Sequence, residues 1–142
     1  MKQPPAIPAS HLDLLDQPIL GVLTTLMPDG SPQSSLVWCD QAGGIPRVNT
    51  TRQRQKGRNL MRDQRATLLL VDPHNSLRWI EIRARVELSE EGALEHLDAL
   101  TRAYTDKPCY YGHIYPEQQQ AKETRIICSL HPVRINAISF SS

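Results

Sequence analysis

The chain has 142 residues, 39% of them hydrophobic and 22% charged, with a net charge of +1. A chain of this size is most simply one domain, 1–142, able to bury roughly two-thirds of its unfolded surface. The near-neutral balance argues against a protein that coats long nucleic acid, and no run approaches the ~20 apolar residues that a membrane helix needs.

Residues 1–9 read as an extended N-terminal arm, because Pro4, Pro5 and Pro8 block helix formation. The same stretch, MKQPPAIPAS, lacks the apolar core of a secretory signal. Ser10 is placed to cap a short helix running to Asp16, with Leu12 and Leu15 on one face and Pro18 ending it. Ile19 to Leu26 (ILGVLTTL) is apolar and β-branched, the pattern of a buried strand. Pro28-Asp29-Gly30 forms a turn, since proline fixes φ and glycine accepts a positive one. The chain is expected to return as one strand from Gln33 to Asp40, and a Gly43-Gly44 turn to feed a third strand, Pro46 to Thr51. Two tight turns between three strands predict an antiparallel meander.

Lys56 to Asp63 reads as a short helix with Leu60 and Met61 as its apolar contacts. Ala66 to Val71 (ATLLLV) is another apolar strand, closed by a turn over 72–75. Leu77 to Leu88 has two faces: Ile80, Ile82, Ala84, Val86 and Leu88 on one, Trp79, Glu81, Arg83, Arg85 and Glu87 on the other. The polar face reads equally as solvent-facing or as a subunit interface, where Trp and Arg are enriched. Ser89 is expected to cap a helix to about Tyr104, with Ala93, Leu97, Leu100 and Tyr104 at helical spacing. Residues 105–123 form an irregular Tyr-rich excursion, whose stretch from Tyr110 to Tyr115 is either a lid on the substrate side or, more commonly for such segments, a surface loop. Two strands, Arg125 to Leu130 and Val133 to Phe140, finish the chain. Six or seven mostly antiparallel strands with few helices predict a small β-barrel whose open side the helices plug.

The densest chemistry lies between Asn49 and Arg65, NTTRQRQKGRNLMRDQR. Thr50 and Thr51 precede Arg52, Arg54, Lys56, Arg58, Arg62 and Arg65, with Asp63 the lone acid. From Arg47 to Arg65 there are seven cations and one acid, which leaves nine cations and fourteen acids elsewhere. Hydroxyls, N–H groups at a helix start and forked guanidiniums suit phosphate or carboxylate. The competing reading is a solvated helix face, since Lys and Arg are mostly exposed in any fold. Basicity confined to one patch fits a compact anionic ligand better than nucleic acid.

Cys39, Cys109 and Cys128 form no CxxC and leave an odd thiol, which suits a reducing, cytoplasmic compartment. The five histidines are scattered, with no HExxH and no Cys/His cluster, so no metal site is expected. There is no GxSxG, no P-loop, no GxGxxG after a strand and no obvious carboxylate pair. No catalytic side chain is expected; in an enzyme of this kind a cofactor carries the hard chemistry.

With the turn-linked strands, the NTTRxRxKxRNL stretch and the ATLLLVDP strand in place, the sequence resembles the pyridoxamine 5′-phosphate oxidase-like split-barrel superfamily. Within it, the likeness is to the branch of flavin and deazaflavin (coenzyme F-420) dependent oxidoreductases. It runs from about Ile7 to Ala137, on IPASHLDLLDQP, GVLTTLMPDGSPQSSLVW, RVNTTRQRQKGRNLMRDQRATLLLVDP, RWIEIRARVEL and RIICSLHPVRI in that order. The resemblance implies a mainly β fold, a split β-barrel of six or seven mostly antiparallel strands with flanking helices. It also implies a homodimer with the cofactor in a groove at the subunit interface. The phosphate or acidic tail would lie near Thr50, Thr51, Arg54, Lys56 and Arg58. The ring would lie along Gln33, Ser34, Ser35, Leu36 and Val37, largely against backbone. Asn49 would sit near the ribityl chain, and Trp79 would approach the ring from the partner subunit. The relatives usually carry Gly where this chain has Ala84, so the pocket is expected to differ in detail there.

The implied function is hydride transfer between a bound F-420 or FMN and a small organic acceptor, with the MPDGSPQ and NTTRxRxKxRNL segments closer to the F-420 branch. An alternative on the same fold is a protein that stores a flavin, F-420, haem or another tetrapyrrole without turnover. A nucleic-acid binder using the 47–65 patch is a minority third reading, marked by steep salt dependence and no chromophore.

Overall fold

Alternating apolar residues along seven segments build one antiparallel sheet in the computed structural model, which describes residues 3–140. Met1 and Lys2 of the expected arm lie outside the described residues, as do Ser141 and Ser142. The strands are β1 (Gly21–Leu26), β2 (Pro32–Val37), β3 (Cys39–Ala42), β4 (Ile45–Thr51), β5 (Arg65–Asp72), β6 (Asn75–Ser89) and β7 (Arg125–Ser139). Their order across the sheet is β2-β1-β5-β6-β7-β4-β3. Three α-helices flank it, α1 (Asp13–Asp16), α2 (Gln55–Arg62) and α3 (Ala93–Tyr104), with a 3-10 turn over Glu117–Lys122.

The expected single strand from Gln33 to Asp40 is broken at Trp38, and the expected meander does not form. β2 pairs with β1 at one edge of the sheet, while β3 pairs with β4 at the other. Only Trp38 separates the two edge strands in sequence, so the sheet has to curl until its edges almost meet. That curl makes the split barrel. The break is held from outside the ladder. Trp38 stacks on Tyr104 with ring centroids 5.5 Å apart, and the Tyr104 hydroxyl accepts the Cys39 N–H at 3.0 Å and donates to the Ile19 carbonyl at 2.7 Å. A side chain thus takes the backbone donor that a continuous strand would have used.

The core lies inside the curl, where Leu23, Val48, Leu68, Leu70, Ile80, Ile82, Ile126 and Leu130 are almost wholly buried. β6 keeps its expected faces, with Ile80, Ile82, Ala84 and Val86 inward and Arg83, Arg85 and Glu87 exposed. The two expected final strands are one long strand, β7. Arg83 faces Arg134 and Ala84 faces Pro132, so Val133 is the extra residue of a bulge. The bulge accommodates a proline that a regular ladder would reject. α3 begins at Ala93 instead of just after Ser89, entered through Gly92 at φ 74° with no side-chain cap. The Ser10 hydroxyl likewise bonds His11 Nδ1 and does not cap α1.

One glycine fixes the placement of α2. A Cβ on Gly57 would lie 1.8 Å from the Thr51 carbonyl oxygen. The helix therefore meets the end of β4 backbone to backbone, a contact that only glycine permits.

Candidate functional site

A cavity of about 260 Å³ opens where β2, the end of β4, the start of α2, α3 and the Tyr-rich excursion converge. Leu36, Val37 and Trp38, together with Leu97 and Leu100 of α3, give it apolar walls. Asn49, Arg54, Lys56 and Arg125 supply its polar end. An apolar slot with one cationic end is what a planar ligand carrying an acidic group requires.

Local structure aims the cations. Thr51 Oγ1 accepts the Arg54 N–H at 3.0 Å and turns the chain into α2. Two residues on, Lys56 Nζ donates to Ser35 Oγ of β2 at 3.0 Å, across the cavity floor. Burial, aided by the nearby Arg54 and Arg125 charges, lowers the Lys56 pKa below its ordinary value. An ammonium beside two guanidiniums is short of negative charge. Arg54 donates to the Tyr110 hydroxyl at 3.3 Å and has its nearest carboxylate, Glu123, at 3.8 Å.

Behind Asn49 the site is braced. The Asn49 amide donates to the Ala93 carbonyl at 2.8 Å and to His96 Nδ1 at 3.1 Å, while its oxygen accepts from Arg125 at 3.4 Å. His96 Nδ1 is thereby an acceptor, so Nε2 carries the proton and donates to Asp40 at 3.1 Å. Asp40 in turn accepts two hydrogen bonds from Arg47, at 3.0 and 2.9 Å. This chain ties α3 to β3 and β4 and fixes which atom of Asn49 faces the cavity.

The structure brings together part of the expected set. Leu36, Val37, Asn49, Arg54 and Lys56 line the cavity, with Ser35 hydrogen-bonded to Lys56. Gln33 accepts from Thr25, and Ser34 bonds Thr24, so both side chains are turned to β1. Thr50 points into the core with Val48, because strand side chains alternate, and its hydroxyl has no hydrogen-bond partner. Arg58 is exposed and folds back on Gln53 and Gln55 at the start of α2. Trp79 lies on the outer face of β6 in a separate shallow groove with Leu69, Val71, Glu81, Arg83 and Asn136. Of the basic run, only Arg54 and Lys56 reach the cavity. Arg52 pairs with Glu90, Arg62 bonds the Leu26 carbonyl and Arg65 pairs with Asp63.

Sequence reasoning missed Arg125, the first residue of β7, whose side chain is buried in the cavity wall. It also missed Trp38 and the α3 wall. The only signal for Arg125 was a lone cation opening an otherwise apolar strand. Among the described residues no group of His, Cys, Asp and Glu side chains could hold a metal ion. The buried thiols are inert at neutral pH: burial pushes Cys39 up to about 11 and Cys128 up to about 12.

A seven-stranded antiparallel sheet curled in this order, with helices flanking it, defines a split-barrel protein. The profile described as pyridoxamine 5′-phosphate oxidase matches residues 7–139, and the chain belongs to that family. It is similar to the structure of an F-420 reductase, with 29% identity and a TM-score of 0.77 over 92% of this chain and 98% of that one. It is also similar to a conserved hypothetical protein from Mycobacterium tuberculosis, at 25% identity and a TM-score of 0.72 over 98% and 90% of the two chains. A haem-binding protein from Mycobacterium smegmatis shares the fold at 19% identity and a TM-score of 0.62, over 97% of this chain and 57% of that one. No curated protein matches the sequence. No helix among the described residues is long and apolar enough to cross a membrane.

Proposed function

We propose that the protein is an oxidoreductase that holds a deazaflavin, coenzyme F-420, or in its place FMN, in this cavity, and passes hydride between it and a small organic acceptor. The observation that carries the reading is Lys56: a half-buried ammonium on α2 that reaches Ser35 of β2, flanked by Arg54 and Arg125, at the end of an apolar slot. The residues present fit such a group. Lys56, Arg54 and Ser35 are the partners for its phosphate through charge-assisted hydrogen bonds. Leu36, Val37 and Trp38 offer an apolar face for its ring. Bound there, the cofactor supplies the two-electron chemistry that the protein's own side chains lack. The protein's share is to anchor the acidic end, exclude water from the slot and orient the open face toward the acceptor. Thr50 and Arg58 play no part in this reading. The likeness to an F-420 reductase favours the deazaflavin over FMN.

The reading includes a second copy of the chain. The cavity is open on the side of Leu36, a residue 65% exposed, and the half-buried Trp79 groove on the outer face of β6 supplies the kind of surface that a symmetric partner would cover.

The test is a titration of the apo-protein with FMN and with oxidised F-420, following the fluorescence of Trp38 in the cavity wall. Saturable quenching by F-420 is expected. Response to FMN alone would move the protein to the flavin branch, and response to neither would overturn the reading.

A further inference from the structure

Arg125 has more binding capacity than its surroundings use. Only 8% of the residue is exposed, yet it lines the cavity beside Asn49. Its Nε donates to the Tyr111 hydroxyl at 2.9 Å and its Nη1 to Asn49 at 3.4 Å, while Nη2 has no hydrogen-bond partner. A buried guanidinium N–H without an acceptor is costly, and such groups in native proteins call for a reason. The Tyr110 ring lies 4.7 Å from the guanidinium centre, a cation–π contact. The nearest anion is Glu123, 3.5 Å from Nη2 and 3.8 Å from Arg54. Both separations are longer than a well-formed charge-assisted bond. Glu123 also accepts the Tyr111 hydroxyl at 2.5 Å. One carboxylate, tied to Tyr111, therefore stands between two guanidiniums without a close bond to either, at the seam where the Tyr-rich excursion returns to the sheet.

We propose that Arg125, with Asn49 and Arg54, forms a second anion subsite that takes a carboxylate of the ligand, and that Glu123 stands in for that carboxylate in the free protein. The inference rests on the cofactor reading for the first anion position at Lys56, but the subsite itself follows from Arg125. Its Nη2 has N–H groups without an acceptor and faces the Glu123 carboxylate, so it is the atom that a ligand carboxylate would pair with once Glu123 gives way. The occupant therefore carries two acidic groups side by side at the polar end of the cavity, one at Lys56 and one at Arg125. The carboxylate belongs either to the acidic tail of the cofactor or to the acceptor substrate. FMN, with a single phosphate, fills only the Lys56 position.

Two variants and three probes test this. Glu123→Gln removes the internal competitor and keeps the shape, so its effect is a gain that misfolding cannot imitate. Arg125→Met removes the subsite, with circular dichroism and melting temperature to verify its fold. Citrate, read by Trp fluorescence, probes the subsite without any cofactor. Citrate is expected to bind Glu123→Gln about tenfold more tightly than the parent and to lose about tenfold in Arg125→Met, the scale of a hydrogen bond to a charged group. F-420 binding that follows citrate across the variants, with FMN binding unchanged, assigns the carboxylate to the cofactor tail. F-420 binding that stays constant while citrate shifts assigns it to the substrate. No citrate response in either the parent or Glu123→Gln overturns the subsite, as does an equal shift of FMN and F-420 in both variants. Failure of the cofactor reading looks different: citrate still shifts, but neither FMN nor F-420 binds.

Discussion

At the scale of single residues, the site is set by where charge is left uncompensated. Lys56 has a hydroxyl, Ser35, as its partner and cations as its neighbours. Lys56→Ala should weaken cofactor binding by about 1.5–3 kcal/mol, the range for hydrogen bonds to charged groups. Calorimetric titration checks it, and an unchanged affinity would remove Lys56 from the site. The proton linkage has a definite sign. Burial disfavours the ammonium and lowers its pKa from the ordinary 10.5, whereas a bound anion would restore the charged form and raise it. Binding then takes up a proton, so affinity should be greatest below the lowered pKa and fall as pH rises through it. An affinity that stays flat up to pH 10.5 would count against this placement of the anion. Asp40 has the opposite dependence. Burial alone would raise its carboxyl, but hydrogen bonds from His96 and Arg47 outweigh burial and hold it below 3.8. Its contribution to stability is complete above pH 3.8 and is lost as pH falls through the lower native value. Asp40→Asn should cost about 1 kcal/mol at neutral pH and flatten the acid limb, a modest effect because water screens a partly exposed pair. Urea midpoints taken across the acid range measure both; an unaltered acid limb would show that the Asp40 network adds nothing.

At the scale of elements, the position of α2 rests on Gly57. A methyl group there would collide with the Thr51 carbonyl, a backbone atom that cannot rotate away. Gly57→Ala should therefore destabilise the protein by about 3 kcal/mol, the upper part of the usual overpacking range, and displace Arg54 and Lys56 with the helix. Denaturant unfolding gives the first quantity and F-420 titration the second; a variant with parental values for both would mean that α2 can shift without cost. What was legible in the sequence follows from the reach of each signal. The two faces of β6 could be read because strand alternation is local and the strand is long. The basic run pointed to Arg54 and Lys56, but it could not say that Arg52 and Arg62 would find partners from other segments while Arg65 closed on Asp63. Nor could charge density show that Thr50 faces the core, since that depends on the register of β4. The break at Trp38 was hidden because Leu36-Val37-Trp38-Cys39 continues a β pattern without a Gly or Pro. Only the distant Tyr104 ring and hydroxyl interrupt it. Arg125 was hidden for a similar reason: Asn49 reaches it only through the pairing of β4 with β7, and Tyr111 only through the fold of the excursion.

At the scale of the whole molecule, the curl leaves an outer face that one chain does not cover. Val71 is 39% exposed and Leu77 is 44% exposed; Val71 pairs with the half-buried Trp79 from β5, and Leu77 lies two residues before it on β6. Arg83 and Glu81 sit in the same groove and pair with each other at 3.3 Å. Apolar anchors ringed by charges are the anatomy of a protein interface, and stable interfaces bury about 1,200–2,000 Å² in total. If two copies meet there, introducing a charge at the apolar centre should separate them without unfolding either, because Val71 supports nothing in the core. Val71→Glu is therefore expected to convert a dimer into a folded monomer in sedimentation velocity, with its circular dichroism spectrum retained. Trp79→Ala should loosen the same association by removing the largest apolar side chain of the groove. The two variants also separate interface from pocket. If the second copy closes the cavity over Leu36, F-420 affinity should fall with dimerisation in Val71→Glu, and raising the protein concentration should recover part of it. If affinity holds while the mass halves, the dimer exists but the cavity belongs to one chain alone. A parent that sediments as a monomer at every concentration would remove the second copy from the site, and the exposed face of β6 would have to answer to some other surface.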